Sequence, residues 1–367
     1  MRYPWIARVR PLAAGFGVVC LQACTTLESV SPAAAPDEVA AVAPGPKPAA
    51  PVPAKPLAQG DVLGRSDRLL IYNPRAEDTL ASIAARFLGS ADKAWVIGDH
   101  NGIAKPEPGQ PLVVPLKTFN AAGVSADSVQ TVPILCYHRF GTTAAAAGWG
   151  GKMTVSPGNF AAQLDWLARN DYHVIRLAQL QAFLEGKQAL PKRSVVITFD
   201  DGYESVYRYA LPVLRKYNFP ATLFVYTDFI GAGDALSWVQ LQELSASGLV
   251  SVQAHSKTHR NLIERATGET DERYRQMLEL EARAPREALE RKLTGPVRHY
   301  AYPYGDANEA VLDVLGRQQY QLGVTVNPGG NAFFAQPLML RRTMIYGDHD
   351  LEAFKARLQT SRPSAAP

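Results

Sequence analysis

Between residues 132 and 344 short apolar runs alternate with longer amphipathic stretches. Strands are predicted at 132–137, 195–199, 221–226, 250–254, 299–302, 323–326 and 338–344. Several of these runs are apolar without a polar break, as in Val195-Val196-Ile197, so both strand faces are covered, as in a parallel sheet. Helices are predicted between them at 157–169, 177–185, 207–217, 238–247, 271–284, 285–292, 309–317 and 351–358, with Pro285 marking a boundary. The repeated strand–helix unit predicts an α/β fold, a distorted (β/α)7-8 barrel over 131–360. Its functional groups are expected at the C-terminal ends of the strands.

A smaller pattern precedes it at 66–118. Leu69-Leu70-Ile71-Tyr72 reads as a strand, and Asp78 or Thr79 can cap a helix with Leu80, Ile83, Ala84 and Phe87 on one face. A second short helix near 93–99 stops at Asn101-Gly102, and Leu112-Val113-Val114 closes the unit. The βααβ order, with Glu77-Asp78-Thr79-Leu80, Asn101-Gly102 and Pro108-Gly109-Gln110-Pro111-Leu112, resembles a LysM domain. That resemblance implies binding to chains containing N-acetylglucosamine, usually peptidoglycan.

The first residues carry no such pattern. Arg2, Arg8 and Arg10 precede an apolar stretch from Leu12 to Leu21 that is too short to span a bilayer stably. It ends in Leu21-Gln22-Ala23-Cys24, which resembles a bacterial lipobox. The resemblance implies a signal peptide at 1–23, a lipidated Cys24 anchoring the chain to a membrane, and a place in the cell envelope. Thr25 in place of Asp points to the outer membrane. Residues 24–65 contain an Ala/Pro-rich tether, and 119–130 a second linker.

Charge and cysteines narrow the picture. The three N-terminal arginines supply most of the formal net charge of +4. The near-neutral remainder argues against nucleic acid as a partner. Of the three cysteines, Cys20 leaves with the signal and Cys24 is lipidated. Cys136 is then alone, and no internal disulfide can form.

Three motifs lie at predicted strand ends. Asp200-Asp201-Gly202 follows the second strand, and adjacent carboxylates there can divide between binding a cation and acting as a base. His255-Ser256-Lys257-Thr258-His259 follows the fourth; histidines at i and i+4 share one face of a helical turn and can share a metal. Ser256 excludes the zincin protease motif. Tyr300-Ala301-Tyr302-Pro303-Tyr304-Gly305 predicts a turn that exposes the Tyr304 N–H toward an oxyanion. Alone, Asp200-Asp201-Gly202 reads better as an ordinary turn, the two histidines read equally well as the start of a helix, and the third motif also reads as a structural turn. Trp149 and Trp238 are candidates to stack on a sugar ring or to pack locally.

In this order the motifs resemble the polysaccharide deacetylase family, also called NodB-homology or carbohydrate esterase 4, over about 131–345. The resemblance implies that Asp200 is the base and that Asp201, His255 and His259 hold a divalent metal, usually zinc. It implies removal of acetyl groups from an N-acetylglucosamine-containing polysaccharide, peptidoglycan or an exopolysaccharide. A non-catalytic wall anchor and an O-acetyl esterase are the alternatives.

The chain departs from the family pattern twice. Ala301 stands where many members carry an arginine, and the last strand lacks the usual Leu-x-His, with His349 lying beyond it. Arg341 and Arg342 alternate faces on that strand, and Arg342 is expected to orient Asp200. His138, in Cys136-Tyr137-His138, is expected to be the general acid. Tyr-His at this place resembles the poly-N-acetylglucosamine deacetylase branch.

Overall fold

The computed structural model describes residues 57–117, 120–125, 128–142 and 149–363. The expected export segment, Cys24 with its expected lipid, and most of the Ala/Pro-rich stretch lie outside the described residues. Among the described residues, no helix is long and apolar enough to cross a membrane.

Residues 57–117 build a three-stranded antiparallel sheet in the order β1 (Asp61–Arg65), β2 (Leu69–Asn73), β3 (Leu112–Pro115). Helices α1 (Leu80–Leu88) and α2 (Ala94–Asn101) lie between β2 and β3 in sequence. Thr79 caps α1 by accepting from Ser82 N, and Gly102 ends α2 in the left-handed conformation. Leu70, Tyr72, Ile83, Ala84, Ile97, Leu112 and Val114 form its core. The strand β1 was not expected. Its register shifts between Val62 and Gly64, and that bulge interrupts the alternation by which a strand is read.

The larger unit is a curled sheet of parallel strands: β4 (Val132–Tyr137), β5 (Ser194–Phe199), β6 (Ala221–Val225), β7 (Val250–Ala254), β8 (His299–Ala301) and β9 (Leu322–Val324). They pair in chain order from β4 to β9. A last strand, β10 (Thr343–Met344), runs parallel to β4, while Leu340 just before it bridges Val324 of β9. The segment containing Leu340 and β10 therefore joins the two edges and closes an irregular barrel. Helices α3 (Pro157–Arg169), α4 (Leu177–Leu184), α5 (Leu211–Tyr217), α6 (Trp238–Ala246), α7 (Asp271–Lys292), α8 (Glu309–Arg317) and α9 (Leu351–Lys355) follow the strands.

Strand parity sorts the side chains. Leu135, Tyr137, Val195, Ile197, Phe199, Leu223, Val225 and Val252 belong to the large core packed under the helices. Their alternates Ile134, Val196, Phe224, Ala301, Val324 and Leu340 form a second cluster on the opposite sheet face. The same parity carries Cys136, Thr198 and Asp200 onto that second face, at the C-terminal ends of β4 and β5.

Three expectations need correction. Helix α7 runs unbroken through Pro285, where two helices were expected. The segment expected as one strand at 338–344 is a tight turn at Pro337–Met339, a bridge at Leu340 and then β10. The Asn331 amide takes up Arg341 N and O there, replacing a strand partner. Residues 255–259 are not a helical turn, because Ser256 (φ 75°) and His259 (φ 62°) are left-handed.

Candidate active site

The strand β5 ends in two carboxylates that face different partners. Asp200 follows the inward parity and is 2 % exposed. Asp201 begins the turn with φ 71°, and Gly202 continues it with φ 95°. A Cβ on Gly202 would meet Val225 at 2.9 Å, so this close approach of β5 and β6 requires glycine.

Asp200 is clamped by Arg342, which is fully buried. Nη1 donates to Oδ1 and Nη2 to Oδ2, each at 2.7 Å. The guanidinium is itself held by the Thr325 carbonyl and, at 3.3 Å, by Thr198 Oγ1. Arg341 is exposed and donates to the Pro328 carbonyl. Burial opposes ionisation of Asp200, but the Arg342 charge and its two hydrogen bonds, with His255 nearby, bring the carboxyl down to about 2.

Cys136 Sγ lies 3.4 Å from Asp200 Oδ2 and 4.0 Å from His138 Nδ1. Burial pushes the thiol well up, so the S–H donates to the carboxylate. Burial also lowers the His138 pKa, against the pull of Asp200 and Asp201, so its ring rests neutral.

Asp201, His255 and His259 form a second group. Their nearest donor atoms lie within 4.8 Å of one another. Asp201 Oδ1 is 3.4 Å from His255 Nε2 and 3.2 Å from His259 Nε2. It is buried and makes no hydrogen bond. The tautomer of His255 sharpens the point. Its Nδ1 faces the Ala301 carbonyl at 2.8 Å, and a carbonyl only accepts, so Nδ1 carries the proton. Nε2 of the neutral ring then turns a lone pair toward a carboxylate oxygen, an arrangement that asks for a positive charge between them. Burial disfavours the His255 cation, but Asp201 and Asp200 outweigh it and raise the pKa. Burial likewise opposes the Asp201 charge, and the two imidazoles overcome it and hold the carboxyl far below its usual range. One carboxylate and two imidazoles, with a second-sphere carbonyl fixing one ring, suit a zinc-type ion with open coordination positions.

His259 lies between two aromatic rings, Tyr226 and Tyr304, each 5.0 Å away between centroids. Tyr304 has φ 61° within the turn and is 61 % exposed. Trp238 opens α6 and packs against the large core rather than standing free. Trp149 opens a short helix, Trp149–Lys152, and its side chain lies outside the described residues.

One residue at the site had no signal in the sequence. Glu281, in the middle of α7, bonds the main chain between the two histidines. Its spacing from Tyr274 and Leu278 puts it on the apolar helix face, but nothing local tells a buried glutamate there from a solvated one.

Residues 187–323 match the family described as polysaccharide deacetylase. The chain is 27 % identical over 258 residues to the putative polysaccharide deacetylase YxkH of Bacillus subtilis, covering 70 % of this chain and 87 % of that protein. It is 27 % identical over 243 residues to the poly-beta-1,6-N-acetyl-D-glucosamine N-deacetylase of Escherichia coli, covering 57 % of this chain but only 36 % of the longer relative. Among solved structures, the Streptococcus pyogenes deacetylase PplD in complex with acetate superposes with a TM-score of 0.56 at 26 % identity, over 63 % of this chain and 99 % of that one. The curled α/β sheet and the paired clusters at its strand ends agree with these matches: residues 187–323 match the polysaccharide deacetylase family, and the chain is similar to deacetylases well beyond that stretch.

Proposed function

We propose that this protein removes N-acetyl groups from a polymer of N-acetylglucosamine in the cell envelope. The observation that carries the reading is the buried, bidentate Asp200–Arg342 pair beside the converging donors of Asp201, His255 and His259. It joins a carboxylate kept ionised to a group that fits a divalent cation.

Asp201, His255 and His259 would hold that ion, zinc by the donor set, and when bound it supplies Lewis-acid polarisation of the acetamide carbonyl. The protein's own groups do the rest. Asp200, ionised and fixed by Arg342, accepts the proton of the attacking water. The Tyr304 N–H donates to the developing oxyanion. His138 protonates the departing amine. Its ring rests neutral, so the proton it delivers is gained during turnover. Asp200, which takes a proton from water, belongs to the same cluster as His138, within 4.8 Å. Acetate and a glucosamine unit leave.

The substrate reading draws on the E. coli relative, which is named for poly-beta-1,6-N-acetyl-D-glucosamine. A second reading, peptidoglycan, is favoured by residues 57–117, which we read as a LysM-type glycan-binding module. The lipobox at Cys24 would tether both units to the outer membrane. Acetate release from poly-β-1,6-N-acetylglucosamine, peptidoglycan and chitin oligomers tests the proposal. Release from the first above the others is expected. Release from none of the three would overturn it, and release only from an O-acetylated glycan would replace it with an esterase.

A further inference from the structure

We propose that Glu281 is a positioning residue for the candidate metal centre. Its carboxylate fixes residues 255–259 in the conformation that turns both histidines toward Asp201. The inference rests on reading Asp201, His255 and His259 as ligands.

The five-residue segment carries two strained positions. Ser256 and His259 are non-glycine residues with φ of 75° and 62°. Such backbone persists only where surrounding contacts over-determine it. One edge of the segment is held by main chain, with Thr227 N donating to the Ser256 carbonyl and Asp228 N to the Lys257 carbonyl. The other edge is held by Glu281. Oε2 accepts from Lys257 N at 2.8 Å and from Thr258 N at 3.0 Å, and Oε1 accepts from Thr258 Oγ1 at 2.8 Å. Glu281 is 3 % exposed, and a carboxylate so buried is costly without partners. These bonds supply them, all from the stretch between the two histidines.

The main chain of Glu281 is tied to the same place. Pro285 has no N–H, so the carbonyl four residues earlier, that of Glu281, loses its helical donor. Tyr300 OH donates to it instead at 3.3 Å, and Tyr320 OH donates to the neighbouring Ala282 carbonyl at 2.8 Å. Tyr300 lies opposite Ala254, the residue before His255, and the next residue on β8, Ala301, accepts from His255 Nδ1. The proline inside α7 thus frees a carbonyl that registers the helix on the strand beside the histidines. The side chain one helical turn before the proline then reaches the loop.

The full chain, stripped with a chelator, is titrated with Co2+ alone, followed by its d–d absorption, and then with Zn2+ by competition. A wild-type protein that takes up neither ion sinks the metal reading, and this inference with it. With wild-type uptake established, Glu281→Ala is expected to weaken binding about 10–100-fold with its helical circular dichroism unchanged. Glu281→Gln keeps an acceptor for the two N–H groups and is expected to recover most of the affinity. Leu278→Ala, which hollows the buried face of the same helix, is expected to lower Tm without moving the Kd. If Glu281→Ala does not fold, Glu281→Asp withdraws the carboxylate by one methylene and carries the test, with a loss of about tenfold expected. Unchanged affinity in the folded Glu281 variants, or an equal loss in Leu278→Ala, would overturn the proposal.

Discussion

Arg342 and Asp200 meet through two parallel 2.7 Å hydrogen bonds in a space closed to solvent, although 142 positions separate them in the chain. The arginine comes from the segment that joins the two edges of the barrel, so closing the sheet and orienting the carboxylate are one event. Removing one member leaves the other buried without its counter-charge. Arg342→Met should cost roughly 3–5 kcal/mol of stability by urea unfolding. The double variant Arg342→Met/Asp200→Leu should be more stable than Arg342→Met alone. A double variant less stable than that single would show that packing, rather than charge pairing, dominates.

The pair also fixes a pH dependence. Asp200 is brought down to about 2 in the folded protein, against about 3.9 for a free aspartate. A depressed carboxylate stabilises the fold fully above its unfolded value and ceases to do so as pH falls through its folded value. The share of the stability gap between wild type and the double variant that Asp200 carries by its own titration is therefore expected to be flat from pH 7 to about 4 and to change between about 4 and 2, while the loss of its pull on His255 adds a separate change in the histidine range. A gap that stays constant from about 4 to 2 would mean that Asp200 is not the group that carries it.

Cys136 offers a separate check on burial. Its thiol is pushed well above the usual range by burial and lies enclosed beside Asp200. Maleimide labelling of Cys136, followed in a Cys20→Ser/Cys24→Ser chain, is expected to be slow and to follow global unfolding as denaturant is raised. Rapid labelling without denaturant would show that the site opens locally.

Much of this architecture is legible in the sequence, and the limits have physical causes. Apolar runs such as Val195-Val196-Ile197 declare strands covered on both faces. The expectation that Arg342 rather than Arg341 meets Asp200 holds, although both arginines precede the short last strand instead of lying on it. Turn chemistry is harder to read. Asp201, Ser256, His259 and Tyr304 adopt positive φ without being glycine, because tertiary contacts hold them there. Pro285 reads as a helix boundary, since the donor that replaces its missing N–H arrives from Tyr300 on a distant strand. Glu281 is invisible for the same reason. Its partners lie 23 and 24 positions away, and no local pattern marks them.

Attachment is testable without the catalytic site. If Cys24 is lipidated, Cys24→Ser should move the protein from the detergent-extracted fraction to the soluble one, because the acyl chains contribute about 0.8 kcal/mol per buried methylene. An unchanged membrane fraction would contradict the lipobox reading.

In the proposed mechanism Asp200 acts as base beside a cation held by Asp201, His255 and His259. Its most direct test is acetate release from poly-β-1,6-N-acetylglucosamine, measured together with the cation content of each protein. Wild type is expected to carry about one divalent ion and to release acetate. Asp200→Asn should keep the ion and lose turnover by roughly 10²-fold or more, and Asp201→Ala should lose both. Wild-type acetate release by a cation-free Asp201→Ala protein would show that turnover needs no cation at this site.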